Sequence, residues 1–212
     1  TYLDVSGNNM MKQKRSVTNF LSKRTVLLPN DFEKLLKGNI DNFATSMQHL
    51  FARDCKLHKL PSQIGRLVNL VTLDLSNNPI ASQQISPDLS FHNLKTLNLS
   101  SCRLTSIPTH LFEKSKELET LKLNDNQITA FNLTIQLAHL RTLDISNNSF
   151  IVRESDEFMK WFNKGSNIAR CPMLQSLSIA GNPGLAFMLV HEDFSLEAYT
   201  ELTSLDLKSN EL

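Results

Sequence analysis

The sequence predicts an α/β fold, a right-handed solenoid or horseshoe with a parallel β-sheet on its concave face. The main observation is an 11-residue pattern, LxxLxLxxNxL, that recurs seven times in the 212 residues. Its copies begin at positions 47, 70, 94, 118, 140, 174 and 202, so four of the six spacings are 22 to 24 residues. A repeat of this length indicates stacked units, each of which buries its apolar face against its neighbours.

The LxL centre of each copy alternates apolar and polar residues, which is the period of a β-strand. Successive copies are joined by return segments of a dozen or so residues, so their strands should pair in parallel. The return segments hold a second apolar set, such as Leu60 with Ile64 and Ile107 with Leu111. We therefore expect the strand leucines to be buried in every copy, including the strand within 203–207.

Two stretches interrupt the repeat. After a partial copy at residues 3–10 the motif is lost, so residues 11–46 hold either a degenerate repeat or, as we favour, a long insertion. Residues 151–173 hold a second insertion, in which Ser155 can cap a helix over 156–164 that packs on the return-segment side through Trp161 or Phe162. One domain thus spans residues 1–212. Because both ends cut through a motif copy, we expect the parent array to continue in both directions.

The motif and its spacing resemble those of leucine-rich-repeat proteins, and the resemblance covers most of the chain. It implies a ladder of buried side chains at the ninth motif position, which bond to the backbone groups left by a sharp turn. At Cys55 and Cys102 a thiol would replace the amide as a weak donor, and the alternative is a reactive thiol or a metal ligand. The ladder positions are Asn8, Cys55, Asn78, Cys102, Asn126, Asn148, Asn182 and Asn210.

No catalytic motif occurs in the chain, which lacks GxGxxG, P-loop, GxSxG and HExxH patterns. The run His191-Glu192-Asp193 stands in an irregular return segment without a second pair of ligands, so we expect a solvated loop there and no metal site. We expect no cofactor and no enzymatic activity within these residues. Any such activity would reside in other domains of the parent protein.

The formal net charge is +1, which does not favour nucleic acid as a partner. Residues 11–37 hold seven basic and two acidic residues, a net charge of +5, and form either a solvated surface or a docking patch for an anionic partner. No run of 18 apolar residues is present, so no membrane span is expected in this segment. Three cysteines cannot all pair with one another, which favours a reducing compartment.

The resemblance implies that the concave face is the binding surface. Phe51 is an aromatic where the other copies have polar residues, and Arg53 lies two residues later on the same face. Aromatics and arginine are frequent interface anchors. The alternative is that the 11–46 insertion covers Phe51 and makes it part of the core. The candidate binding residues are His49, Phe51, Arg53, Asp54, Asp74, Lys122 and Asp144.

We expect a protein-interaction module whose partner is another protein. Residues 60–78 resemble the LPxxIGxLxxLxxLDLSxN repeats of cytosolic signalling and scaffold members, which implies a cytoplasmic scaffold or recognition domain of a larger protein. Residues 107–128 resemble secreted members, so the alternative is a ligand-binding segment of an extracellular receptor. The sequons at Asn98, Asn132 and Asn147 would matter in that case.

Overall fold

A computed structural model describes residues 2–4, 6, 41–42, 44–151, 157–162 and 170–210. Eight strands of three residues form one sheet, and each pairs in parallel with the next strand along the chain. The α/β solenoid predicted from the motif is confirmed. The strands are β1 (Tyr2–Asp4), β2 (His49–Phe51), β3 (Thr72–Asp74), β4 (Thr96–Asn98), β5 (Thr120–Lys122), β6 (Thr142–Asp144), β7 (Ser176–Ser178) and β8 (Ser204–Asp206).

The strand register places equivalent motif positions side by side across the whole sheet. Leu73 of β3 lies opposite Leu97 of β4, which in turn lies opposite Leu121 of β5. The central leucines of β2 to β7 are at most 1% exposed. A three-residue strand could not bury its leucine alone, so the core forms by stacking repeat on repeat.

Leu205, the central residue of β8, departs from the expectation that every strand leucine is buried, because 41% of it is exposed. β8 is an edge strand with no neighbour on its outer side in the described part of the chain. Its leucine is therefore covered on one side only, whereas its counterparts lie between two repeats. Leu212, which completes the last motif, lies outside the described residues.

The strands that flank the two interruptions of the motif pair directly with each other. β1 and β2 are adjacent, with Tyr2 opposite His49, and whether residues 11–46 form a degenerate repeat or an insertion falls mostly outside the described residues. β6 and β7 are likewise adjacent across residues 151–173. The basic stretch from Lys12 to Lys37 lies outside the described residues.

The return segments form the second layer of the solenoid and consist mainly of turns. Within the described residues, four of them contain short 3-10 helices, at Ser62–Arg66, Ser82–Gln84, Thr109–Leu111 and Pro183–Leu185. Most of these helices bury one apolar residue against the strand leucines, such as Ile64 or Leu111. Two short α-helices follow in the later repeats, α1 (Glu157–Trp161) and α2 (Ala186–Leu189).

Helix α1 lies against the return segments, as expected from the sequence. Phe158, Trp161 and Phe162 are at most 1% exposed. The indole N–H of Trp161 donates to the carbonyl of Leu133 at 2.8 Å, and the hydroxyl of Tyr199 donates to the carbonyl of Trp161 at 2.8 Å. The helix thus connects the return segments before and after it. The ends of the expected helix, at Asp156 and at residues 163–164, lie outside the described part of the chain.

The turn after each strand depends on the eighth motif position. In all seven described copies this residue has a positive φ, between 48° and 64°, which only glycine and short polar residues adopt readily. At Gly181 a Cβ atom would lie 2.0 Å from Oδ1 of Asn147, so a larger residue there would require the Asn147 side chain to move. The positions are Asp54, Asn77, Ser101, Asp125, Asn147, Gly181 and Ser209.

The ninth position supplies the ladder that the sequence predicts, and Asn126 shows its geometry. Its Oδ1 accepts the backbone N–H groups of Cys102 and Leu104 in the preceding repeat, both at 2.9 Å. Its Nδ2 donates at 2.9 Å to the carbonyls of Leu99 and Leu123. One buried amide therefore joins two consecutive turns. Equivalent buried bonds are made by Asn78, Asn148, Asn182 and Asn210, whereas Asn8 lies outside the described residues.

Cys55 and Cys102 occupy ladder positions as buried thiols that form no disulfide. Sγ of Cys102 bonds to the carbonyl of Leu75 in the preceding repeat at 3.3 Å, where an asparagine would place its amide donor. Burial raises the pKa of Cys102 to about 12, so the thiol stays protonated and donates. This argues against the reactive-thiol alternative at Cys102. Among the described residues, no group of three or more His, Cys, Asp or Glu side chains is placed to hold a metal ion.

We predict that Asn126→Leu lowers the free energy of unfolding by about 1–3 kcal/mol, because it leaves buried backbone donors and acceptors without partners. Chemical denaturation monitored by circular dichroism measures the change. The matched control is Asn132→Leu at an exposed asparagine, for which we expect a change within about 0.5 kcal/mol. Equal effects at the two positions would contradict the ladder.

Candidate functional site

The candidate site is the concave face of the sheet, which bears the third, fifth and seventh residues of each motif. The third-position row consists mostly of short hydroxyl side chains in register across the sheet, of which Thr72 and Thr96 are typical. They are partly buried by their neighbours. The row begins with larger residues, one of which is His49. Nδ1 of His49 lies 3.0 Å from Oγ1 of Thr72. A floor of short side chains leaves room above it for a partner.

The fifth-position row has a structural role that the sequence analysis missed. The carboxylate of Asp144 accepts the N–H of Ser146 at 3.1 Å and its hydroxyl at 2.6 Å. Asp74 with Ser76, and Asn98 with Ser100, repeat this arrangement. The side chain thereby satisfies the backbone where the strand ends. The recurring D/N-L/I-S triplet in the sequence was the available signal.

Asp74 is the most connected of these residues and is only 3% exposed. Beyond its two bonds from Ser76, its Oδ2 accepts Nε of Arg53 at 2.7 Å and Nδ2 of Asn98 at 3.0 Å. Arg53 follows β2 and Asn98 ends β4, so the two donors come from either side of β3. Asp74 therefore lies beneath the surface, where it positions Arg53, while the Arg53 side chain stays 51% exposed.

Three residues at the β1–β2 end form what we call the aromatic–arginine cluster: Tyr2, Phe51 and Arg53. The two rings lie 5.1 Å apart between centroids, and Cζ of Arg53 lies 5.5 Å from the centroid of Phe51. Tyr2 is 60% exposed and Phe51 is partly exposed. Residues 7–40, most of the segment that could cover Phe51, lie outside the described part of the chain.

Tyr2 is a candidate that the sequence analysis did not name. The partial motif at residues 3–10 gave the signal, because it places Tyr2 in the same row as His49. The hydroxyl of Tyr2 donates to Asp4 at 3.3 Å. Partial burial raises the pKa of Asp4, but hydrogen bonds from Ser6 and Tyr2 and the charge of Arg53 outweigh it, so that pKa lies below its usual value. Asp4 is therefore ionised beside the cluster at neutral pH.

The structure groups some of the candidate residues and separates others. His49, Phe51, Arg53 and Asp74 lie together on β2, β3 and the residues just after β2. The remaining three are Asp54, in the left-handed turn, and Lys122 and Asp144, which face each other across β5 and β6. Lys122 is exposed and belongs to a strand about 14 Å from β2, three strand spacings away.

A chain of polar side chains links the cluster to the middle of the solenoid. It runs from Arg53 through Asp74 and Asn98 to Ser100. From Ser100 it passes through Asn124 and Asp125 to Asn147, whose Nδ2 donates to Asp125 at 2.8 Å. The chain joins five consecutive repeats along one margin of the concave face. Consecutive repeats are therefore linked by hydrogen bonds at the surface as well as in the core.

Comparison with known proteins places the chain among leucine-rich-repeat sequences. Models described as leucine-rich repeats match residues 92–150, 68–111 and 139–162. An adenylate cyclase of Schizosaccharomyces pombe is 23% identical over 189 residues, which cover 69% of this chain and 11% of the cyclase. A transforming growth factor beta activator of Danio rerio is 27% identical over 150 residues, or 58% of this chain and 22% of that protein.

Among solved structures, a leucine-rich-repeat protein of Leptospira interrogans is 23% identical with a TM-score of 0.44, and the match covers 76% of this chain and 42% of that one. The chain spans less than a quarter of the length of the adenylate cyclase and of the transforming growth factor beta activator. None of the helices in the described residues is long and apolar enough to cross a membrane.

We predict that Asp74→Ala destabilises the fold more than Asp144→Ala, by about 1–3 kcal/mol. Both changes remove the acceptor for a serine two residues later, but only Asp74 also accepts bonds from the neighbouring strands. The difference between the two free energies of unfolding isolates the cross-strand bonds. Equal destabilisation would show that Asp74 does not connect the strands energetically.

Proposed function

Because this chain belongs to the leucine-rich-repeat family, a family of protein-interaction modules, we propose that it is the partner-binding region of a larger cytoplasmic signalling or regulatory protein. Its partner is another protein, held on the concave face. Any catalytic activity of the parent protein would reside outside these residues. The observation that supports this proposal most directly is the aromatic–arginine cluster, which is exposed at one end of a row of short polar side chains.

The composition of the cluster supports this proposal. Aromatic residues and arginine supply most of the strongly contributing positions in protein interfaces, and they do so beside residues that contribute little themselves. Phe51 and Arg53 are partly exposed and already ordered by their contacts with each other and with Asp74. A partner would therefore not have to immobilise these side chains, which is one of the main costs of association.

The cytoplasmic part of the proposal is supported by the cysteines. Cys55, Cys102 and Cys171 are buried and form no disulfide, and two of them replace asparagine in the ladder as thiols. Cysteines kept as thiols are ordinary in a reducing compartment. The match to the adenylate cyclase, which extends over 11% of that protein, supports the view that such repeats form one region of a longer signalling chain.

We predict that a photo-crosslinking amino acid at Lys122, on the concave face, captures a protein partner in the source cells, whereas the same amino acid at Lys116 does not. Lys116 is likewise an exposed lysine, in the return segment before β5, so it serves as the matched control. The Phe51→Ala, Arg53→Glu double variant should abolish the adduct. Adducts of equal yield from Lys116, or an adduct unaffected by a folded double variant, would move the interface off the concave face.

The second candidate is a segment of an extracellular receptor, which one observation favours. Asn132 of the Asn-Leu-Thr sequon is exposed, whereas Asn98 and Asn147 each donate a hydrogen bond through Nδ2, the atom that a glycan would occupy. The likeness to a protein named as a transforming growth factor beta activator also belongs to this candidate.

We predict that Asn132 carries no glycan in protein isolated from its source cells. Peptide mass spectrometry before and after treatment with an amidase that removes N-glycans gives the occupancy. Asn98 is the internal control, since its side chain is bonded on both amide atoms. An occupied Asn132 would overturn the cytoplasmic proposal in favour of the extracellular one and would leave the concave binding face in place.

A further inference from the structure

We propose that Arg53 binds a carboxylate side chain of the partner, and that the partner segment carries an apolar or aromatic residue next to that acid. The inference rests on the proposed function, since it names the chemistry that the concave face recognises. The occupant is therefore an acidic–apolar segment of a protein.

The first argument is the way in which Arg53 is held. Its Nε donates to Oδ2 of Asp74 at 2.7 Å, and its guanidinium lies over the ring of Phe51 with Cζ 5.5 Å from the centroid. These two contacts fix both the position and the orientation of a planar group. The remaining donors, on the two Nη atoms, have no hydrogen-bonding partner among the described residues. They form the edge that matches a carboxylate with two parallel hydrogen bonds.

The second argument is that the carboxylate of Asp74 has enough hydrogen-bond donors without Arg53. Its carboxylate is 4% exposed and accepts three further donors, from Ser76 and Asn98. An arginine that only neutralised this carboxylate could lie flat over it. Instead, half of the Arg53 side chain is exposed, and the backbone N–H of the same residue donates to Oγ of Ser6 at 3.1 Å. The Arg53 side chain therefore bonds to Asp74 without being covered, and about half of it is exposed.

The third argument concerns the charge of the ligand. Among the described residues, the carboxylates of Asp4 and Asp74 both lie close to the guanidinium of Arg53. A doubly charged phosphate group would be repelled by two carboxylates, whereas a carboxylate with a single charge is repelled half as much. The planar, singly charged oxyanion of an aspartate or glutamate is therefore the better fit than a phosphorylated side chain.

The fourth argument is the apolar surface next to the guanidinium of Arg53. The rings of Tyr2 and Phe51 lie side by side at 5.1 Å, and 60% of Tyr2 is exposed. Together they offer an apolar wall within one side chain of the guanidinium. An apolar residue adjacent to the acid would cover this wall, exclude water and strengthen the charged hydrogen bonds beside it.

The test uses the complete 212-residue chain and a library of random peptides displayed on phage. We expect the selected peptides to be enriched in Asp or Glu next to an apolar or aromatic residue. The affinity of a selected synthetic peptide should fall at least about tenfold in Arg53→Gln, because a charged hydrogen bond is lost. The affinity of Arg53→Lys should be intermediate, since lysine keeps the charge but cannot make two parallel hydrogen bonds to a carboxylate. Arg103→Gln, at an exposed arginine in a turn, is the matched control and should bind like the wild type.

Two further measurements separate charge from structure. Asp4→Asn should strengthen binding of the acidic peptide by about two- to fivefold, the effect of removing one exposed like charge. Replacing the acid of the peptide by phosphoserine should not strengthen binding. Thermal melting of each variant shows that it is folded.

Selected peptides that lack acids, that bind Arg53→Gln as well as wild type, or that gain affinity on phosphorylation would overturn the carboxylate assignment and leave a binding face with another specificity. A folded wild-type chain that selects no peptide above the background of empty phage would overturn the proposed function together with this inference. Loss of binding in Arg103→Gln equal to that in Arg53→Gln would also contradict the assignment of Arg53.

Discussion

The hydrogen bonds of the ladder asparagines are the interaction on which the rest of the structure depends. Each strand has only three residues, so the sheet alone cannot orient a repeat, and the turn that follows leaves backbone donors and acceptors facing the core. Asn126 satisfies groups from two consecutive repeats at once. Because a buried polar group without a partner costs more than a hydrogen bond gains, this geometry ties the position of each repeat to the one before it.

The binding face follows from that constraint. Equivalent positions are in register, so a fifth-position side chain inside the sheet lies next to the fifth-position side chains of the strands on either side. A chain of polar side chains can therefore pass from Arg53 to Asn147 across five repeats. Asp74 links core and surface, since it caps its own strand and also holds Arg53. The orientation of the aromatic–arginine cluster is in this sense a property of the stacked array and not of β2 alone.

The motif predicted the parts of the structure that repeat. The eight strands, the parallel pairing and the packing of Trp161 follow from periodicity and from elementary rules of burial, whereas the buried asparagines are what the resemblance to leucine-rich repeats implies. The sequence could not predict what depends on neighbours from different repeats, such as the bonds that Asp74 accepts from Arg53 and Asn98 or the ring contact between Tyr2 and Phe51. The exposure of Leu205 was missed for a related reason, because the motif describes each repeat as though both of its neighbours were present.

The most direct measurement is amide hydrogen exchange, followed residue by residue by NMR, in the wild type and in Asn126→Leu. The backbone N–H groups of Cys102 and Leu104 donate only to the side chain of Asn126, whereas the N–H of Leu99 donates to the backbone carbonyl of Lys122. The ladder predicts that the variant loses protection at Cys102 and Leu104 by about tenfold or more relative to Leu99. Unchanged relative protection at these two amides would contradict the claim that asparagine side chains hold the repeats together.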